Sequence, residues 1–330
     1  MKTPNLARRI QKEQSRFYWR LGIIVVAIIG ILGIGTFFIL NSFTDTVSAQ
    51  IIRPPNIGDA SSTPFSTKNA YVNLSLIGKA AVVYDLTTGK TLYAQNATTP
   101  LPLASITKLL TLYAASNVLQ PSSPVVMTPL ALAQNGDAAD NGFTAGETFN
   151  FEDLARLTLA ASSNDGAEAI VEAAGIQKNK DTSSLLASAA AAAGLTQTHA
   201  NNSTGLDKDT EVSGGYGSAH DVAVLAGALI KKAPQIAQAT TQPSVSIRSL
   251  EGIRHSFANT NIDVTHLPNL LLSKTGYTDL AGGNLVVVYD AGIGHPVAIV
   301  VLGSTETGRF TDVGQLMKAT LAHFGGTVPS

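Results

Sequence analysis

The chain has 330 residues, enough for one large domain whose core can shape a cleft, and a formal net charge of −1. Residues 1–20 carry six Lys/Arg and one Glu, leaving 16 basic and 22 acidic residues beyond; a basic head on a mildly acidic body suits a membrane surface rather than nucleic acid. With no cysteine, disulfides, thiolate nucleophiles, thiolate zinc sites and a lipid-modified Cys are excluded, and hydroxyls, amines, carboxylates and imidazoles remain for any chemistry.

From Leu21 to Leu40 runs LGIIVVAIIGILGIGTFFIL, an uncharged stretch long enough as a helix to cross about 30 Å of hydrocarbon. Lys2, Arg8, Arg9, Lys12, Arg16 and Arg20 precede it, and the positive-inside rule keeps them cytoplasmic, so a single-pass anchor with everything after Leu40 exported is expected. Phe17, Tyr18 and Trp19 fit an interfacial belt. A cleaved signal peptide ending near Val47-Ser48-Ala49 is the competing reading, weakened by an apolar run longer than a signal h-region. Residues 41–74, rich in Ser, Thr, Asn and Pro with no apolar period, read as a solvated linker, and residues 75–330 as the folded domain.

Ala80–Asp85 and Thr91–Ala94 read as strands of a hairpin turned at Thr87-Thr88-Gly89-Lys90. Leu109, Leu110, Leu112 and Tyr113 after Pro102 predict a helix from about Ser105 to Val118. A helical lobe spanning about 115–235 follows, with Asn150 capping 151–161 and further helices at 165–174, 182–193 and 220–231. From about Val245 the texture turns to β, with Val/Leu-rich runs at 270–274, 284–289 and 296–302, before an amphipathic helix over 311–324. Strands at both ends with helices between imply an α/β (α+β) fold: one antiparallel sheet assembled from the two ends of the domain, an inserted all-helical lobe, and a cleft between them.

Three short sets can carry chemistry. Ser105-Ile106-Thr107-Lys108 puts a hydroxyl and an amine three residues apart on one helical face, where the amine can take the hydroxyl's proton, although a solvated helix pair has the same spacing. Ser162-Ser163-Asn164 lies between two predicted helices, where Ser163 or Asn164 can equally act as an N-cap. Lys274-Thr275-Gly276 ends an apolar run, with the plainer reading of a strand entering a turn through Gly276.

In this order and context the three sets resemble those of the low-molecular-mass penicillin-binding proteins, the serine D-Ala-D-Ala carboxypeptidases of peptidase family S11, which share their fold with serine β-lactamases. Asn202-Ser-Thr-Gly-Leu206, Asn259-Thr-Asn261 and Thr278 with Ala281-Gly282 extend the likeness over about 80–326. The resemblance implies Ser105 as nucleophile and Lys108 as its base, kept neutral by burial and by the second cation Lys274. It implies Ser162 as proton donor to the leaving amine, Asn164 as holder of the substrate amide and of Lys108, and Lys274 and Thr275, beside Gly276, as the carboxylate site. Backbone N–H groups of Ser105 and Tyr277 become the oxyanion hole. The implied substrate is the D-Ala-D-Ala terminus of a peptidoglycan stem peptide, with β-lactams as inhibitors, on the extracytoplasmic side of the plasma membrane. One departure is Ser163 where the family often has Gly, which is expected to crowd the cleft slightly.

Other readings stay open: a D,D-endopeptidase with the same machinery, a β-lactamase of the same fold, or a non-hydrolytic β-lactam sensor or scaffold. The lactamase reading lacks a Glu-x-x-Leu-Asn base between Asn164 and Lys274. His199, His220, His255, His266, His295 and His323 show no metal-ligand spacing, so neither a metal nor a cofactor is expected. Asp137 with Asp140, and Asp207, Asp209 and Glu211, read as solvated acidic patches.

Overall fold

The computed structural model describes residues 70–134, 142–292 and 294–325. The basic segment 1–20, the apolar run 21–40, the linker up to residue 69, and Asp137 and Asp140 lie outside the described residues. Among the described residues, no helix is long and apolar enough to cross a membrane.

The fold opens with the hairpin β1 (Ala80–Asp85) and β2 (Lys90–Gln95) and the two-residue strand β3 (Leu101–Pro102), which leads through a 3-10 turn, Ala104–Ile106, into helix α1 (Thr107–Ser116). Strands β4 (Pro124–Val126) and β5 (Thr148–Asn150) flank the one-turn helix α2 (Pro129–Leu132), and α3 (Phe151–Ala161), α4 (Asn164–Lys178) and α5 (Thr182–Ala192) follow. After β6 (His199–Ala200) and β7 (Gly215–Gly217) come α6 (Ala219–Lys232), α7 (Pro234–Ala239) and a hairpin of β8 (Ser244–Arg248) and β9 (Arg254–Ala258). The chain then returns to the first strands with β10 (Leu270–Thr278), β11 (Gly282–Asp290) and β12 (Pro296–Ser304), and finishes on α8 (Gly308–His323).

Five strands form one antiparallel sheet in the order β10-β11-β12-β1-β2, so the first and last strands of the region are neighbours, with Ala80 opposite Leu302 and Asp85 opposite Val297. Side chains alternate across this sheet with the strand period of two. Ala80, Val82, Val286, Val288, Ala298, Val300 and Leu302 face one core together with α1, α3 and α6. Ala81, Val83, Leu285, Val287, Tyr289, Val297, Ile299 and Val301 face a second core closed by Val313, Leu316 and Met317 of α8. Burial on both faces explains the continuous Val/Leu runs, each such side chain contributing about 1.5–3 kcal/mol. Tyr71, within the stretch whose composition reads as linker, is buried in the second core and donates to Thr320 Oγ1 at 3.1 Å, so the ordered fold begins earlier than residue 75.

Helix α1 is buried nearly all round, its polar Thr107, Lys108 and Thr111 included, and sits at the centre of the lobe against α4, α5 and α6. The helix boundaries differ from the sequence expectation for local reasons. Ser163 caps α4 by accepting from Gly166 N at 3.0 Å, and α4 runs a turn further than 174, to an Asn179 cap in the left-handed region. Asn150 occupies the cap position of α3 but makes no side-chain cap bond; Glu152 and Asp153 in the first turn complement the helix dipole instead. Helix α8 starts at Gly308, earlier than 311, because Thr305 receives both Gly308 N, through Oγ1 at 2.9 Å, and Arg309 N, through its carbonyl at 3.1 Å. His255 is a core residue, paired with Glu147 at 2.7 Å between the rings of Phe143 and Phe149.

Candidate active site

Ser105 sits in the 3-10 turn that opens α1, and the chain is bent sharply to put it there. Ala104, a buried residue, has φ +48°, a left-handed conformation costing of order 1–3 kcal/mol for a residue with a Cβ. Ser162 shares this feature, ending α3 at φ +62°. The left-handed stop turns Ser162 away from the helix axis and allows α4 to begin two residues later at Asn164.

The Ser105 turn is held from three sides. Leu103 N donates to Gly215 O at 2.9 Å, Asn284 Nδ2 to Pro102 O at 3.0 Å, and Gly205 lies so close that a Cβ there would stand 1.9 Å from Ala104 O. The edge strand β10 forms the remaining side. Gly276 lies inside that strand rather than at a turn, and its backbone angle is not the unusual one expected of it. Its missing side chain is what matters: a Cβ would fall 2.8 Å from Leu103 O and 3.2 Å from Ile106 N. Glycine here lets the Lys-Thr-Gly strand lie directly against the turn carrying Ser105.

Two buried amines occupy the floor. Lys108 is fully buried, with Nζ 2.9 Å from Ser105 Oγ, and donates to Asn164 Oδ1 at 2.7 Å and Thr204 O at 2.8 Å. Lys274 is 1 % exposed and donates to Ser162 Oγ and Thr275 O, both at 2.9 Å. Burial lowers the pKa of the Lys108 ammonium to about 7, opposed by the charge of Asp165. Burial first, then the charges of Lys108 and Arg309, push Lys274 well below the ordinary lysine value, and because that repulsion is mutual it disfavours a proton on both amines at once.

The structure therefore brings together Ser105, Lys108 and Asn164 as one hydrogen-bonded set and Ser162 with Lys274 as another, bridged by the two-residue step from Ser162 to Asn164. Thr275 Oγ1 is tied to Thr260 Oγ1 at 2.6 Å, and Tyr277 is 46 % exposed on the edge strand. Ser163 is fully buried and turned inward as a cap, so it does not crowd the cleft. Four further residues, three of them in segments the sequence singles out without a role for them, make contacts that the sequence does not assign. Thr204 acts through its carbonyl, Thr260 through the hydroxyl that accepts from Thr275 Oγ1, and Arg309 through Nη1, which donates to Gly276 O at 2.9 Å. Asp207, read from the sequence as a solvated acid, accepts from Thr278 Oγ1 at 3.1 Å and Leu280 N at 3.3 Å, joining the loop after Gly205 to the β10–β11 turn.

A family profile described as D-alanyl-D-alanine carboxypeptidase, Peptidase S11, matches residues 66–306. The D-alanyl-D-alanine endopeptidase of Pseudomonas aeruginosa is 28% identical over 289 residues, 85% of this chain and 84% of that protein. The D-alanyl-D-alanine carboxypeptidase DacF of Bacillus subtilis is 26% identical over 74% of this chain, and the carboxypeptidase DacA of Escherichia coli 29% identical over 72%. The chain spans 62% and 59% of the length of these last two. Among solved structures, penicillin-binding protein D2 of Listeria monocytogenes in its cefotaxime-bound form superposes with TM-score 0.64 at 27% identity, covering 75% of this chain and 98% of that one. A penicillin-binding protein homologue from Mycobacterium tuberculosis superposes with TM-score 0.67 at 25% identity, covering 76% and 93%.

Proposed function

Because the chain belongs to the D-alanyl-D-alanine carboxypeptidase family, Peptidase S11, we propose that it removes the terminal D-alanine from peptidoglycan stem peptides through an acyl-enzyme on Ser105, and that β-lactams acylate the same oxygen. The observation that carries this reading is the surroundings of Lys108. An amine lowered to about 7 is substantially neutral at neutral pH and then has two N–H groups and one lone pair. Asn164 Oδ1 and Thr204 O are acceptors, and they take the two N–H groups. The lone pair is left facing Ser105 Oγ at 2.9 Å, the geometry of a base beside its nucleophile.

In this mechanism the Ser105 proton passes to Lys108 Nζ as Oγ bonds to the carbonyl carbon between the two D-alanines. The N–H groups of Ser105 and Tyr277 receive the oxyanion. Collapse breaks the C–N bond; Ser162, whose oxygen accepts from Lys274 Nζ, passes a proton to the departing amine, and the proton that Lys108 took from Ser105 replaces it, so that Lys108 is neutral again and Lys274 keeps its charge. Water then gives a proton to Lys108 as it attacks the ester, and Lys108 returns that proton to Ser105 Oγ as the shortened peptide leaves. Lys274 and Thr275 hold the terminal carboxylate, whose negative charge favours the protonated form that burial disfavours in the empty cleft. Arg309, fixed on Gly276 O, adds a second cation on that side.

D-alanine release from a pentapeptide ending in D-Ala-D-Ala, together with mass spectrometry of the penicillin adduct, tests the proposal; an adduct on a residue other than Ser105, or labelling without D-alanine release, overturns it. The Pseudomonas aeruginosa relative, an endopeptidase, favours cross-link cleavage as a second reading, and a cross-linked muropeptide dimer offered beside the pentapeptide separates the two. The apolar run 21–40 behind its basic head supports an anchored, extracytoplasmic enzyme, tested by protease accessibility in spheroplasts.

A further inference from the structure

Helix α4 carries two polar side chains one turn apart on the same face, Asn164 and Glu168, and both bear on the amine of Lys108. Asn164 does so directly, through Oδ1 at 2.7 Å. The Glu168 carboxylate accepts a short hydrogen bond from Ser203 Oγ, and Ser203 is fully buried. The next residue is Thr204, whose carbonyl takes the other N–H of Lys108 at 2.8 Å. The carbonyl of Ser203 is in turn held by Thr111 Oγ1 of α1 at 2.6 Å, while Asn202 Oδ1 closes the loop on Thr204 N at 3.3 Å and Gly205 N at 2.8 Å. The peptide that presents Thr204 O is thus fixed at its own N–H, Gly205 N, by Asn202, and the residue before it is held by α1 through the Ser203 carbonyl and by α4 through the Ser203 side chain. Burial raises the Glu168 carboxyl above its ordinary value; the Ser203 bond works against that rise and the nearby Glu172 charge adds to it.

We infer that Glu168 is a positioning residue for acylation: through Ser203 it fixes the Thr204 carbonyl and so aims the Lys108 lone pair at the Ser105 hydroxyl. The inference rests on the reading of Lys108 as base. An amine held by a single acceptor turns about its Cε–Nζ bond and spends its lone pair in several directions, whereas two fixed acceptors leave it one. Misplacing a reacting group by an ångström costs up to about 100-fold in rate, and because Asn164 still restrains one N–H, a loss of about tenfold is expected here.

The test is the second-order acylation rate of the full chain with a fluorescent penicillin, divided by the fraction of molecules that label at completion. The division separates a slower site from a partly unfolded sample. Glu168→Ala and Ser203→Ala are each expected to lose about tenfold per labelled site with the labelled fraction near that of the parent. Glu168→Gln, which keeps an accepting oxygen for Ser203, is expected to stay within about twofold. Unchanged per-site rates in both alanine variants, a loss confined to the labelled fraction, or a Glu168→Gln defect as deep as that of Glu168→Ala each overturn the inference. If the unsubstituted protein itself takes no label at Ser105, the proposed function fails, which is a different outcome from a failed role for Glu168.

Discussion

At the scale of single residues, the site is a problem in keeping an amine neutral inside a protein. Lys108 reaches about 7 through burial, which penalises the charged form and outweighs the opposing pull of the Asp165 charge. The sign for activity follows: below 7 Nζ is protonated and has no lone pair to offer, so acylation is expected to rise with pH to a plateau with a midpoint near 7, read from kcat/KM for D-alanine release between pH 5 and 9. Lys108→Ala removes the base, and the acylation rate is expected to fall by about 1,000-fold or more while Ser105 stays in place. A penicillin-labelling time course on the purified variant checks this, and a rate close to that of the parent would remove Lys108 from the mechanism.

At the scale of elements, catalysis depends on how closely a strand can approach a turn. Gly276 allows β10 to pack against the Ser105 turn, and in Gly276→Ala the new Cβ meets backbone atoms that cannot swing aside. The variant is expected to fold, with a melting temperature lowered by a few degrees, and to lose about 100-fold in acylation; circular dichroism and labelling together check both halves. Asp207→Ala is expected to loosen the same geometry from the other side, by about 1.5–3 kcal/mol for the bonds its carboxylate accepts from the β10–β11 turn, visible as a fall in melting temperature. Ser105, Lys108, Ser162, Asn164 and Lys274 are legible in the sequence because their side chains sit in short, ordered patterns. Thr204 is not, since it works through a carbonyl 96 residues from Lys108, and any residue can supply a carbonyl. Thr260 stands in a segment the sequence marks, Asn259-Thr-Asn261, but its contact and that of Arg309 are unreadable for a related reason: their partners lie on segments brought together only by tertiary packing. The helices of the lobe are readable from their period, whereas α7 and the short strands β3 to β7 are too brief to show one.

At the scale of the whole molecule, activity is set against stability. The folded value of Lys108 is about 7 against an ordinary 10.5, so between those limits the unfolded chain binds a proton that the folded chain does not. Folded stability conferred by this residue therefore rises with pH across that window and is lost as pH falls towards 7. Compared with Lys108→Met, the parent is expected to gain about 1.4 kcal/mol per pH unit between pH 7.5 and 10, measured as the difference between two urea unfolding curves at each pH. Lys274 contributes with the same sign in both proteins. A difference that stayed flat with pH would mean that Lys108 is charged in the fold.

The pairing of β1 with β12 has a temporal meaning as well as a spatial one. The first strand made must wait for the last, so a ribosome-bound chain that has delivered Ser105, Lys108 and Asn164 still lacks the wall that Lys274 supplies, and it stays blind to penicillin until residues 270–304 emerge. An antibiotic of this class can then strike only chains made past β12, never shorter ones.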